Sequence, residues 1–111
     1  MSQTAADQST GPQSAAAPGL APQTQDFLKA LGSPTRQRIM LLFARGAEMS
    51  VGEVAERIGI SQATASQQLT LLRRGGAVTS RRDGKTVFYR ADRDGARAAL
   101  ADLHSYLTTC C

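Results

Sequence analysis

The chain has 111 residues, a net charge of +4, one histidine and two cysteines. A chain of this length fits a single domain with a small core that a partner chain can complete. It contains no apolar run long enough for a transmembrane helix, and its first residues lack the basic start and apolar stretch of a signal peptide. We therefore expect a cytoplasmic protein without a membrane partner. The cysteines, Cys110 and Cys111, are adjacent, so they cannot join distant parts of the fold.

The basic residues are concentrated in one part of the chain, residues 61–90. That stretch has one acidic residue, Asp83, and six basic residues: Arg73, Arg74, Arg81, Arg82, Lys85 and Arg90. Because the remainder is close to neutral, the positive charge forms a local patch that suits an anionic partner. The alternative is a basic rim that is simply solvated.

The first 22 residues differ in composition from the rest of the chain. They contain three prolines, two glycines, one charged residue and almost no large apolar side chain. Burial of such residues cannot offset the entropy lost on ordering them. We predict a disordered arm over residues 1–22 and one folded domain over residues 23–111.

Two short helices are predicted at the start of the folded domain. The first ends at Gly32, and its apolar face consists of Phe27, Leu28 and Leu31. The second begins with Ser33 as N-cap and Pro34 at its first position, where the missing N–H has no cost. We expect this helix to end at Gly46.

The third and fourth helices are separated by only three residues. Ser50 and Glu53 have the spacing of a capping box at the start of the third helix, which Gly59 ends. The fourth helix begins after Ser61. Two short helices joined by a tight turn that contains glycine predict a helix-turn-helix, although ordinary helical hairpins share this spacing.

A β-hairpin and a fifth helix follow. The two strands are predicted on either side of Asp83-Gly84, a dipeptide suited to a tight turn, with Arg81, Arg82 and Lys85 at the tip. The last helix has an apolar stripe that consists of Ala96, Leu100, Leu103 and Leu107. The predicted fold is mainly α with a small β-hairpin: a winged helix-turn-helix with about five helices and a two-stranded wing.

The fourth helix has an unusually polar outer side. Its inward stripe is Ala65, Leu69 and Leu72, whereas small, hydroxyl, amide and basic side chains make up the start and the outer side: Ser61, Gln62, Ala63, Thr64, Ser66, Gln67, Thr70 and Arg74. In a DNA major groove, glutamine bonds adenine edges, while serine and threonine bond bases or phosphate. Arg81, Arg82 and Lys85 would then contact the backbone. We predict a protein that binds double-stranded DNA in a sequence-specific way.

Other interpretations of this surface remain open. The polar side of the helix could be hydrated without function, or a winged-helix interaction module could use the same patch to bind an acidic protein. The salt dependence of DNA binding separates these alternatives. The sequence has no catalytic constellation and no glycine-rich phosphate loop, so we expect no enzyme activity.

Three segments resemble the ArsR/SmtB family of winged-helix transcriptional repressors, over about residues 24–107. They are LKALGSPTRQRIMLLF at the start, GEVAERIGISQATASQQLTLLRRGGAV in the helix-turn-helix and SRRDGKTVFYRA in the wing. The resemblance implies a homodimer on an inverted-repeat operator, with an inducer, often a metal ion, that lowers DNA affinity. One departure is Gln68, where the family commonly has histidine.

The first and last helices are the predicted dimer interface. Their apolar residues exceed what a core of this size can cover, and exposed patches of that kind usually find a partner. The family uses the same two helices. The interface residues are Phe27, Leu28, Leu31, Leu100, Leu103 and Leu107.

The resemblance also bears on the inducer. Many members have a Cys-Val-Cys-Asp metal motif on the third helix, but Ser50 and Gly52 occupy the cysteine positions here, which excludes arsenite, lead or cadmium sensing through that site. Other members bind metal on the last helix, where Asp102 and His104 match the first half of the motif and the second half has no match. Residues two apart on a helix diverge by about 200° and need ligands from a second subunit. Nickel or zinc is the expected ion, and a metal-independent regulator is the alternative.

Cys110 and Cys111 leave three interpretations: a frayed pair without function, ligands for nickel or zinc, or a thiol redox switch. Adjacent cysteines form a strained ring when oxidised together. This strain favours metal binding or intermolecular bridging over an internal disulfide.

Overall fold

The computed structural model describes residues 19–111, so most of the predicted arm, residues 1–18, lies outside the described residues. The elements are α1 (Pro22–Leu31), α2 (Pro34–Leu41), a short 3-10 helix (Ala44–Gly46), β1 (Met49–Ser50), α3 (Val51–Ile58), α4 (Gln62–Arg74), β2 (Val78–Asp83), β3 (Thr86–Ala91) and α5 (Arg93–Cys110). The predicted class, a mainly α winged helix-turn-helix, is confirmed. Between residues 19 and 111, no helix combines the length and apolar character needed to cross a membrane.

Local capping fixes the starts of three helices. The Ser33 and Ser61 side chains each accept a hydrogen bond from the backbone N–H three residues later. At α3, the Ser50 N–H donates to Glu53 Oε1 over 2.9 Å and the Glu53 N–H donates to Ser50 Oγ over 3.2 Å. The predicted N-caps Ser33 and Ser50 and the predicted start of the fourth helix after Ser61 are confirmed, because helix starts of this kind depend only on neighbouring residues.

The end of α2 differs from the prediction. The α-helix stops at Leu41, and the 3-10 helix covers Ala44–Gly46. Gly46 has a φ of 77°, a left-handed conformation that favours glycine, so it does end the helical segment. Ile39 and Phe43 remain buried on the inner side, and for this reason the apolar pattern continued past the true helix end.

The wing is a three-stranded antiparallel sheet with the order β1-β3-β2. The pairs Val78↔Ala91 and Asp83↔Thr86 bound the hairpin, so its turn is Gly84-Lys85, one residue later than predicted. Gly84 has a φ of 65°, which a two-residue hairpin turn requires at its first central position. The prediction of two strands missed β1, which pairs Met49 with Tyr89 and Ser50 with Phe88.

The core lies between α2, α3, α4 and the inner face of the sheet. Its largest fully buried side chains are Phe43, Ile39, Leu69, Leu72, Val54 and Val78. The predicted inward stripe of α4 is confirmed, since Ala65, Leu69 and Leu72 are fully buried. The helix α1 contributes Ala30 to this core and packs on α4 and α5. A Cβ on Gly75 would lie 2.5 Å from Ala30 Cβ, so the α1–α4 crossing requires glycine there.

Candidate nucleic-acid interface

The turn between α3 and α4 sets the orientation of α4. Gly59 has a φ of 82°, and the N–H groups of Gly59 and Ile60 both bond the Ala55 carbonyl, over 2.9 Å and 3.0 Å. This left-handed closure ends α3 and leaves room for the Ser61 cap. The short turn therefore places α4 directly after α3, as the predicted helix-turn-helix requires.

The predicted outer side of α4 faces solvent. Thr64 and Thr70 are half-buried. The other six residues are exposed: Ser61, Gln62, Ala63, Ser66, Gln67 and Arg74. The Ser61 hydroxyl is engaged in the cap with Thr64, and the Thr70 hydroxyl donates to the Ser66 carbonyl over 2.8 Å.

Two amides on this side are unpaired within residues 19–111. Gln62 and Gln67 have no hydrogen-bond partner in the described part of the chain. Their donors and acceptors are therefore available to base edges.

Gln68, where the family resemblance departs, has a different role from its neighbour Gln67. Its Oε1 accepts a hydrogen bond from Arg36 Nη1 over 2.9 Å, and Arg36 also donates to the carbonyls of Ala30 and Lys29 at the end of α1. Gln68 thus belongs to the packing between α1 and α4.

The three basic residues predicted at the wing tip are not equivalent. Arg81 lies opposite Phe88 within the sheet, and it binds Glu48 through two bonds of 2.8 Å. Arg82 and Lys85, by contrast, are exposed and pair with no acidic side chain within residues 19–111. The guanidinium of Arg81 is therefore already occupied, which the sequence pattern did not indicate.

The Glu48–Arg81 pair keeps both partners charged. The hydrogen bond from Arg81 lowers the pKa of Glu48, and the hydrogen bond to Glu48 raises the pKa of Arg81. Sequence reasoning missed Glu48, because it lies 33 positions before Arg81 and no local pattern indicates this partner.

Comparison with known proteins agrees with this geometry. Residues 31–81 match the helix-turn-helix domain family. The chain is 38% identical over 87 residues to the biofilm growth-associated repressor of Xylella fastidiosa. This alignment covers 78% of this chain and 75% of that protein. It is 38% identical over 78 residues to the transcriptional activator HlyU of Vibrio cholerae, covering 70% of this chain and 71% of that one.

A solved structure bears on the family directly. The homodimeric winged helix-turn-helix DNA-binding domain of a possible ArsR-family regulator from Mycobacterium bovis matches with a TM-score of 0.62 at 35% identity, over 71% of this chain and 73% of that one. This chain belongs to the ArsR family of winged helix-turn-helix transcriptional regulators. ArsR-family members are DNA-binding regulators and not enzymes, in agreement with the sequence analysis.

The residues predicted for an ArsR-family dimer interface fall into two groups. Leu28, Leu100 and Leu107 are 40%, 63% and 51% exposed. Phe27 and Leu31 are half-buried and pack against the core, and Leu103 is also half-buried. The apolar surface that is free for a partner lies therefore mainly on α5.

The predicted ArsR-family metal donors do not come together within one chain. Asp102 Oδ2 accepts hydrogen bonds from the Ala21 N–H over 2.9 Å and from the Thr24 hydroxyl over 2.6 Å, and these bonds lower the pKa of Asp102. His104 is exposed on a different side of α5. Across the described chain, no group of three or more His, Cys, Asp and Glu side chains could hold an ion. The donors of a single chain thus do not fit a metal.

The two cysteines at the end of α5 are exposed and reduced. The hydrogen bond with Cys111 is the main cause that raises the pKa of the Cys110 thiol. A raised pKa lowers the thiolate fraction, and thiolate is the form that binds metals and reacts with oxidants.

Proposed function

We propose that the protein is a homodimeric transcriptional repressor that binds an inverted-repeat operator, with α4 of each copy in the major groove of one half-site. The observation that carries the proposal is the exposed side of α4, where Gln62 and Gln67 have no partner within residues 19–111. Arg82 and Lys85 at the wing and Arg74 at the end of α4 are the proposed backbone contacts. Ser61, Ala63, Thr64, Ser66 and Thr70 complete the proposed groove-facing surface.

The dimeric and repressive parts of the proposal have separate support. A twofold dimer presents two recognition helices to half-sites about 34 Å apart, which matches an inverted repeat. The Mycobacterium bovis domain is described as homodimeric, and the Xylella fastidiosa relative is named a repressor. The Vibrio cholerae relative is named an activator, so the direction of regulation needs a reporter assay on the operator.

The groove-reading role of α4 can be tested with two substitutions. Gln67→Ala should cost about 1–3 kcal/mol on the selected operator and relax sequence choice, because an amide contact to a base edge is lost. Arg82→Ala should weaken binding to operator and random DNA alike and reduce the salt dependence. Affinities are measured by fluorescence anisotropy at several salt concentrations, with Gln23→Ala on α1 as a control. Equal losses on operator and random DNA for both variants would contradict the assignment.

Response to nickel or zinc is a separate and finer proposal. Since one chain holds no three-donor group in its described part, His104, Cys110 and Cys111 would need donors from a second copy of α5. Calorimetric titration with each ion tests this. His104→Ala should lower metal affinity at least about tenfold and keep DNA binding, with a smaller effect for the Cys110→Ser, Cys111→Ser double variant. A parent protein that binds neither ion is a metal-independent regulator.

A further inference from the structure

The outer face of the wing carries an ion pair that connects two parts of the molecule. Arg81 on β2 donates through Nε and Nη2 to the two carboxylate oxygens of Glu48, each over 2.8 Å. The Arg81 Cζ atom also lies 4.9 Å from the centroid of the Phe88 ring. Phe88 is the β3 residue that pairs with both Arg81 and Ser50. The guanidinium is therefore held by a carboxylate fork and an aromatic ring.

The position of Glu48 gives this pair its significance. Glu48 directly precedes β1, which contains only Met49 and Ser50, and Ser50 is the N-cap of α3. A carboxylate on Glu48 is thus joined through two residues to the helix-turn-helix. The pair therefore links the helix-turn-helix to the wing.

The same pair is the last side-chain contact that β2 makes outside the hairpin, whereas on β3 the last side chain that packs against the core is Val87, opposite Arg82. Beyond Arg81, residues 82–86 are all exposed, and they include the basic Arg82 and Lys85. Two-stranded ribbons twist strongly and are only marginally stable by themselves. Where the tip lies relative to α4 therefore depends on how firmly β2 is held at Arg81, together with the packing of Val87 on β3.

We propose that Glu48 is a positioning residue for DNA binding: it holds Arg81 against Phe88, fixes the wing relative to α3 and α4, and keeps Arg81 from serving as a phosphate contact. The proposal rests on the proposed function, because it needs α4 and the wing tip to contact the same DNA. Exposed ion pairs contribute little to stability. The main effect of breaking this one is expected in DNA recognition.

Charge alone predicts the opposite effect of Glu48 removal on DNA affinity, so the two explanations can be distinguished by experiment. Loss of the Glu48 carboxylate removes a negative charge from the protein and frees the Arg81 guanidinium. If Arg81 then contacts phosphate, binding to all DNA should become tighter and its salt dependence steeper. A positioning role forecasts weaker operator binding. Arg81→Lys adds a second distinction, since lysine can replace arginine at a phosphate but cannot form the two-pronged bond to Glu48.

The experiment measures Kd and its salt dependence for the fragment that the parent protein selects from a random pool, and for a scrambled fragment. Glu48→Ala and Arg81→Lys should each weaken operator binding by about tenfold, a loss similar to that of a base-pair mismatch. The double variant should be no worse than either single variant. Binding to the scrambled fragment should not weaken. Glu56→Ala removes an exposed carboxylate from α3 as the matched control and should not weaken operator binding.

The outcomes separate the two levels of the proposal. A parent protein that does not distinguish the two fragments overturns the proposed function, and this inference with it. If the parent discriminates but Glu48→Ala binds both fragments more tightly, or Arg81→Lys binds like the parent, only the positioning role is overturned. Thermal unfolding of each variant verifies folding, and Arg81→Lys provides the same test should Glu48→Ala be unfolded.

Discussion

A single carboxylate, Asp102, joins the start of α1 to the middle of α5. The N-cap of α1 is Ala21, which has no side chain able to cap the helix. Asp102 accepts the N–H of Ala21 itself across 81 positions, and it also satisfies the hydroxyl of Thr24, which is only 4% exposed. The residue predicted as a metal ligand therefore joins two helices by hydrogen bonds within one chain.

This role leads to a pH dependence of stability. The folded-state pKa of Asp102 lies below its ordinary value of 3.8, because Thr24 and Ala21 donate to the carboxylate. The ionised group therefore stabilises the fold fully at pH values above 3.8, and this contribution is lost as the pH falls through the lower folded-state pKa. We expect the melting temperature of the parent to fall more between about pH 6 and about pH 3 than that of Asp102→Asn.

The matched control for this experiment is Asp26→Asn, an exposed carboxylate of α1. Its melting curve should follow the parent across the same pH range. Parallel pH profiles for the parent and Asp102→Asn would show that the Asp102 carboxylate does not contribute to stability.

At the scale of helices and strands, the features that the sequence predicted correctly are local. The predicted caps at Ser33 and Ser50 act over three residues, α4 begins directly after Ser61 as predicted, and the left-handed glycine at position 59 ends α3 within one turn. The features that were missed connect distant positions. The two-residue strand β1 has no periodicity of its own, and it exists because β3 offers it a hydrogen-bonding edge.

The candidate DNA-binding surface divides in the same way. The exposed side of α4 followed from helical spacing, since the same spacing that buries Leu69 and Leu72 exposes Gln67. The occupation of Arg81 by Glu48 could not be deduced, because it depends on the register of three strands. Charge alone therefore did not show which arginine of the wing has no acidic partner among the described residues.

The link between α1 and α4 has a consequence for stability that can be measured. Gln68 accepts from Arg36, which also binds the last carbonyls of α1. Gln68→Leu should lower the free energy of unfolding by about 1 kcal/mol, because a partly buried donor loses its acceptor. Gln67→Leu, one position away on the exposed side, should leave that energy nearly unchanged. Urea unfolding of both variants checks this, and equal effects would place Gln68 outside the packing.

On the scale of the whole molecule, α5 is more exposed than a helix of a small domain usually is. It has 18 residues, yet Ala99 is its only buried residue. Leu100, Tyr106 and Leu107 are exposed, and Leu28 of α1 is exposed as well. Exposed large apolar side chains concentrated on one helix usually mark an interaction site. A second copy of the chain is the partner that the proposed function requires.

Leu100→Glu tests this interface without disturbing the core, because Leu100 is 63% exposed in the single chain. Within a dimer, the new carboxylate would be buried without a partner, which is strongly unfavourable. We expect the parent to sediment as a dimer and Leu100→Glu as a monomer with an unchanged circular dichroism spectrum. The monomer should lose most of its operator affinity, because the two chains that bind the two half-sites are no longer linked.

Leu41→Glu on α2, where leucine is 75% exposed, is the matched control and should remain dimeric. A monomeric Leu41→Glu beside a dimeric Leu100→Glu would move the interface from α5 to α2.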